Sequence, residues 1–210
     1  MRRIVLIGGG GFAKEVAEIV ELNKHCIVGC VDDAPAIKVP YPFWGPLKLL
    51  KSYRTDFDAI ALGIGAVDRS SMAIRARIVE WIRDLGFPTT SVVSPKAVVS
   101  RGVKIADSVF VGHGVVISVD ANIEDFVILN SQVTVGHDAC IGSLSVIAPG
   151  AFIGGMTSLG AQCLIGPGAQ ILQGLTVGHG SIVSVGSVVL RSLSPESTVV
   201  PLRPKIITGI

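Results

Sequence analysis

Val127-Ile128-Leu129-Asn130-Ser131-Gln132-Val133-Thr134-Val135-Gly136-His137-Asp138-Ala139-Cys140-Ile141 places an aliphatic residue at every sixth position: Leu129, Val135 and Ile141. Stepping by six in both directions extends the series from Val93 to Val189. All seventeen positions are Ile, Leu or Val, which together make up only about a third of the chain. Two residues before each lies a smaller one: Ser, Ala, Val, Thr or Cys throughout, apart from Leu175. One residue after it, glycine recurs as Gly112, Gly136, Gly142, Gly154, Gly160, Gly166 and Gly178, with Asn130 in the same column.

A period of six does not follow a 3.6-residue helical turn, so an amphipathic helix is excluded. A large and a small inward side chain followed by a turn describe a short strand and a tight corner. The glycine column is expected to supply positive φ at that corner. Three units close a triangular coil of 18 residues, and stacked coils bond as parallel strands. Val93 to Val189 spans about 5.4 such coils, a prism roughly 26 Å tall at the usual strand spacing. Its two ends need covers. The N-terminal region is expected over one end, and the segment from Arg191 to Ile210 over the other.

The first ninety residues alternate strand and helix. Arg3 to Ile7 reads as a buried strand, followed by Gly8-Gly9-Gly10-Gly11 and a helix from Phe12 to Leu22. Ile27 to Val31 and Phe57 to Leu62 read as strands, Arg69 to Leu85 as a helix, and Thr89 to Val93 as a strand entering the repeat. That order predicts a small parallel sheet, a half-Rossmann unit. The expected division is 1–90 for this α/β unit, 91–190 for the prism and 191–210 for the tail. Gly8, Gly10 and Ala13 fit G-x-G-x-x-A between strand and helix, and Asp32 closes the next strand. The residues alone leave three readings: a dinucleotide site, a packing turn, or a nucleotide held by its diphosphate. The chain lacks the second mononucleotide half that a dinucleotide requires.

Composition narrows the class. Hydrophobic residues are 49% and charged residues 16% of the 210, with a net charge of +2. Arg2-Arg3 is the longest basic run, so no nucleic-acid surface is expected. Cys26, Cys30, Cys140 and Cys163 form no CxxC pair, and buried free thiols in a reducing compartment are expected. No apolar run reaches the length of a membrane span or a signal h-region, so a cytoplasmic protein without membrane insertion is expected.

His113, His137 and His179 all stand two residues past an aliphatic position. Their separations of 24 and 42 residues are not multiples of 18, so each occupies a different edge and no metal site is expected from them. His137 has Asp138 beside it, able to hold one ring nitrogen while the other accepts a proton. Spacing alone leaves a catalytic base and a solvent-exposed corner histidine equally open. His113 and His179 read as surface residues.

Gly8 to Val16 (GGGGFAKEV), the Ile128-Leu129-Asn130 run before Val135-Gly136-His137-Asp138, and the unbroken hexapeptide region resemble the nucleotide-sugar acetyltransferases. That family N-acetylates UDP- or GDP-linked 4-amino sugars, and enzymes described as sialic acid O-acetyltransferases are similar. The resemblance covers nearly the whole chain and implies a left-handed parallel β-helix, a homotrimer with active sites between prisms, and acetyl-CoA as co-substrate. By it, His137 is the general base, Asp138 supports it and Asn130 lines the site. Gly8, Gly9, Gly10, Gly11, Phe12, Asp32, Asp33 and Gly63 fall where the family holds the nucleotide sugar, and Gly155 and Pro167 where it meets acetyl-CoA. The sequence departs from the family at Phe12 and Val146, where histidines are usual, after Gly63, and in the tail from Val200 to Pro204. The expected activity is N-acetylation of a nucleotide-linked amino sugar for surface polysaccharide or glycan synthesis. The alternatives are sugar O-acetylation and a non-catalytic scaffold.

Overall fold

The computed structural model describes residues 1–34 and 38–201. The N-terminal unit contains β1 (Arg3–Ile7), α1 (Gly11–Leu22), β2 (Cys26–Val31), β3 (Phe43–Gly45), β4 (Ala59–Leu62) and α2 (Arg69–Leu85). Its strands form one parallel sheet in the order β3-β2-β1-β4. β3 and the 3-10 helix Leu47–Tyr53 were not legible in the sequence. Alternation along β1 sends Ile4 and Leu6 towards α1, and Val5 and Ile7 towards the side carrying α2. Asp68 caps α2 by accepting from Ser71 N–H at 2.8 Å, and Gly86 ends it with φ 62°.

From Val92 onward, two-residue strands fill three parallel sheets, the faces of a prism. The first face runs from Val92–Val93 through Ile128–Leu129 to Thr198–Val199, and the second from Val98–Val99 through Thr134–Val135 to Val188–Val189. The third runs from Lys104–Ile105 through Cys140–Ile141 to Thr176–Val177. Both inward columns meet in one core, where Ile117, Val135 and Ile153 are fully buried. The expected α/β unit followed by a parallel β-helix is what the chain forms.

Four expectations fail, each for a physical reason. The glycine column does not take positive φ; that conformation falls two residues later, on Asp120, Phe126, Gln132, Asp138, Leu144 and Met156 among others. Glycine is needed because successive coils touch there. A Cβ on Gly142 would lie 2.5 Å from Gly160 C, and one on Gly160 or Gly166 would lie 2.6 Å from His179 N or Val185 N.

The N-terminal unit covers a side of the prism, not an end. Outward residues of the first face (Val92, Phe110, Ile128, Val146, Leu164 and Ile182) pack in one cluster with Ala13, Val16 and Val20 of α1. The tail, as far as it is described, lengthens the prism instead of capping it. Leu193 bridges Val177, and Thr198–Val199 pairs with Ile182–Val183; residues 202–210 lie outside the described part. Finally, only Cys30 and Cys163 are buried thiols, because Cys26 starts β2 at its exposed end and Cys140 points outward from the third face.

Candidate functional site

The first candidate region lies at the carboxyl ends of β1, β2 and β4. Strand order reverses between β1 and β4, the place where open α/β sheets leave a ligand crevice. A cleft of about 440 Å³ opens there, lined by Gly8, Gly10, Gly11, Phe12, Asp32, Asp33 and Gly63. Gly8 takes φ 103°, and Gly63 has no room for a Cβ, which would lie 2.8 Å from that of Ala13. The loop therefore turns tightly while α1 sits close to β4.

Gly10 caps α1 without a side-chain bond, and no acidic residue occupies the first turn, so the helix presents its N–H groups to the cleft. Gly9 is buried instead of lining the cleft, and its N–H donates to Asp32 Oδ2 at 2.7 Å. Asp32 Oδ1 accepts from Ala34 N–H at 2.8 Å, and Asp33 Oδ1 from Leu47 N–H at 2.9 Å. These bonds shape the rim and leave lone pairs for a ligand's hydroxyls or base. Sequence reading missed the apolar wall, Ile64, Ile74 and Ile78. Ile74 on α2 is 46% exposed, which only the structure shows.

The second region is the edge between the second and third faces. His137 Nδ1 lies 2.8 Å from Asp138 Oδ2, and both side chains are about half exposed. Asp138 takes φ 55° at the corner, and its N–H donates to Val119 O at 3.0 Å, so its carboxylate is fixed beside the ring. One coil up stands Gly155, where a Cβ would meet His137 Nε2 at 2.7 Å. The imidazole thus occupies space that only glycine leaves open. This arrangement orients one nitrogen and exposes the other to a reacting group.

Asn130 does not join His137 within the chain. It lies at the edge between the first and second faces, its Oδ1 accepting from Ser131 N–H at 3.0 Å. Exposed Pro167 shares that edge. The candidate residues therefore divide across the second face, with Asn130 and Pro167 on one side and His137, Asp138 and Gly155 on the other. The face between them carries exposed Val98, Val116, Phe152 and Val188.

His113, read as a surface residue, is half-buried under α1; its Nδ1 lies 2.6 Å from Ser94 Oγ, and its Nε2 lies 3.6 Å from Glu18 Oε1. His179 is exposed, as expected. Among the described residues, no three His, Cys, Asp or Glu side chains gather as metal ligands, and no helix is long and apolar enough to cross a membrane.

Residues 3–82 match the family model of the PglD N-terminal domain. Perosamine N-acetyltransferase from Caulobacter crescentus, solved with CoA and GDP-perosamine, superposes with a TM-score of 0.87 at 31% identity, covering 93% of this chain and 92% of that one. The acetyltransferase domain of PglB from Neisseria gonorrhoeae FA1090, solved with acetyl coenzyme A, gives 0.86 and 31% over 94% and 95%. WeeI from Acinetobacter baumannii AYE, at 24% identity and a TM-score of 0.80 over 93% and 95%, shares the fold. Comparison with curated proteins gives no match. With its Gly-loop sheet joined to a left-handed hexapeptide prism, and with relatives at 30–31% identity over almost its whole length, the chain belongs to the nucleotide-sugar acetyltransferase family and is an acetyltransferase.

Proposed function

We propose that the protein transfers an acetyl group from acetyl-CoA to the amine of a nucleotide-linked amino sugar, with His137 as general base. The observation that carries this is the imidazole held by Asp138 at 2.8 Å, with its other nitrogen over side-chain-free Gly155. Acetyl-CoA supplies the acyl group as a thioester, and the open edge above Gly155 fits a slender donor arm. Asp138 accepts a hydrogen bond from Nδ1–H, which leaves the Nε2 lone pair to take the amine proton as the amide forms. The same nitrogen returns that proton to the departing thiol. The cleft at Gly8 to Gly11 would hold the diphosphate by backbone N–H groups, with Asp32 and Asp33 on the nucleoside side.

The test is acetyl transfer to a panel of UDP- and GDP-linked amino sugars. Mild base distinguishes the products, because an ester is cleaved and an amide survives. An ester product would replace N-acetylation by O-acetylation with the same residues.

Assembly completes this site. Asn130 and His137 flank an exposed apolar face, so a second copy is needed to bring one edge against the other. A homotrimer closes that arrangement symmetrically. Light scattering should give a mass near three times 21.8 kDa. Phe152→Glu, which charges the centre of the face, should dissociate it and remove activity. A fully active monomer would refute the shared site.

Gly155→Ala follows from the same geometry. Its methyl group would displace the His137 ring, and an ångström of misplacement in a catalytic group lowers kcat by about 100-fold. Steady-state kinetics with unchanged thermal melting would show the effect to be local.

A further inference from the structure

A second groove of about 270 Å³ opens where α1 passes the edge between the first and second faces, lined by Glu15, Glu18, Phe110, His113, Asn130 and Ser131 among others. Lys96 N–H donates to Ser94 Oγ at 3.0 Å, and Ser94 Oγ lies 2.6 Å from His113 Nδ1. The other ring nitrogen, Nε2, is shielded from solvent and makes no hydrogen bond. Glu18 Oε1 faces it at 3.6 Å, beyond bonding reach. Burial, and then the charge of Glu18, push the Glu15 carboxyl above its ordinary range. No Lys or Arg lines the groove. The two carboxylates, both open to solvent on one side, give the groove a negative lining with no cation among its lining residues.

The groove adjoins the nucleotide cleft. Phe12 lines the cleft, Phe110 lines the groove, and their rings meet edge to face at 4.8 Å. Glu15 stands four residues below Gly11 on α1, a rise of roughly 6 Å. A diphosphate on the helix N-terminus would direct its sugar over this aromatic sill towards Glu15.

We propose that this groove receives the protonated amine of the acceptor sugar, with Glu15 and Glu18 as its counter-charges and His113 beside Glu18. This rests on the nucleotide-sugar reading above and deepens it, since the groove would select an amino sugar over its hydroxyl analogue. These residues bind and orient. The first ammonium proton leaves to solvent, and His137 takes the second as the amide forms.

The experiment is calorimetric titration of the intact protein and of a Glu15→Gln, Glu18→Gln double variant with GDP-perosamine, GDP-mannose, GDP and their UDP counterparts. The double variant should bind the preferred amino-sugar nucleotide about 10- to 100-fold more weakly, as lost charge-assisted bonds require. Its affinity for the bare nucleoside diphosphate should stay within about twofold, and its thermal melting should match the parent. Unchanged affinity for the amino sugar in a folded double variant overturns the amine pocket alone. A parent protein that binds no amino-sugar nucleotide overturns the nucleotide-sugar reading, and this proposal with it.

Discussion

His137→Ala should lower kcat by about 10²- to 10⁴-fold, the range over which a positioned general base contributes. The amine loses its proton as it bonds to the thioester carbon, and no other imidazole shares that edge of the prism. His113 and His179 stand on the other two edges. KM for acetyl-CoA should change little, because the ring acts on the transferred proton and not on the donor's nucleotide. Asp138→Asn should show a smaller loss, since the amide still meets Nδ1 but no longer favours the charged ring. Following thiol release with the preferred acceptor measures both. A His137→Ala enzyme within a few-fold of the parent would remove the base from the mechanism.

The other large effect is on stability. Arg75 lies on α2, 1% exposed, with no carboxylate partner among the described residues. Its Nε donates to Ile64 O at 3.0 Å, and its terminal nitrogens donate to Leu144 O at 3.2 Å and Phe126 O at 2.6 Å. Burial pulls its pKa down to about 10, so the group is still charged at neutral pH. Leu144 and Phe126 occupy positive-φ corners on neighbouring coils, at the edge between the third and first faces.

One guanidinium therefore ties α2, the loop after β4 and two prism corners together. Arg75→Ala leaves a cavity and unpaired carbonyls, and should cost about 3–5 kcal/mol. For a chain of this size that lowers the melting temperature by roughly 6–20 °C. Arg75→Lys should recover only part of it, because an ammonium cannot fan across three separated carbonyls. Thermal melting of both variants checks this. A change below about 1 kcal/mol for the alanine variant would show the corners to be held by packing alone.

Arg75 also shows why some of the architecture was invisible beforehand. A lone arginine in a helix reads as a solvated charge, and its partners are backbone carbonyls 51 and 69 residues away. The side-on docking was, by contrast, written in the chain. Val92, Phe110, Ile128, Val146, Leu164 and Ile182 recur every 18 residues on the first face, while the third face carries Lys104, Asn122, Cys140, Ser158 and Thr176. An apolar exterior column beside a polar one marks the side that must be covered. His113 was misread for a related reason, since only docking brings α1 and Glu18 over it.

What the sequence determined unaided is the prism, the Gly-loop sheet and the His137-Asp138 pair. Those rest on short-range periodicity and adjacency, where a residue's neighbours along the chain are also its neighbours in space. Tertiary structure alone decided why the corner glycines are needed, how Arg75 ties the two units together, and that Asn130 and His137 stand on opposite edges of one apolar face. Those outcomes depend on contacts between coils 18 residues apart and between two units whose separation along the chain says nothing of their packing.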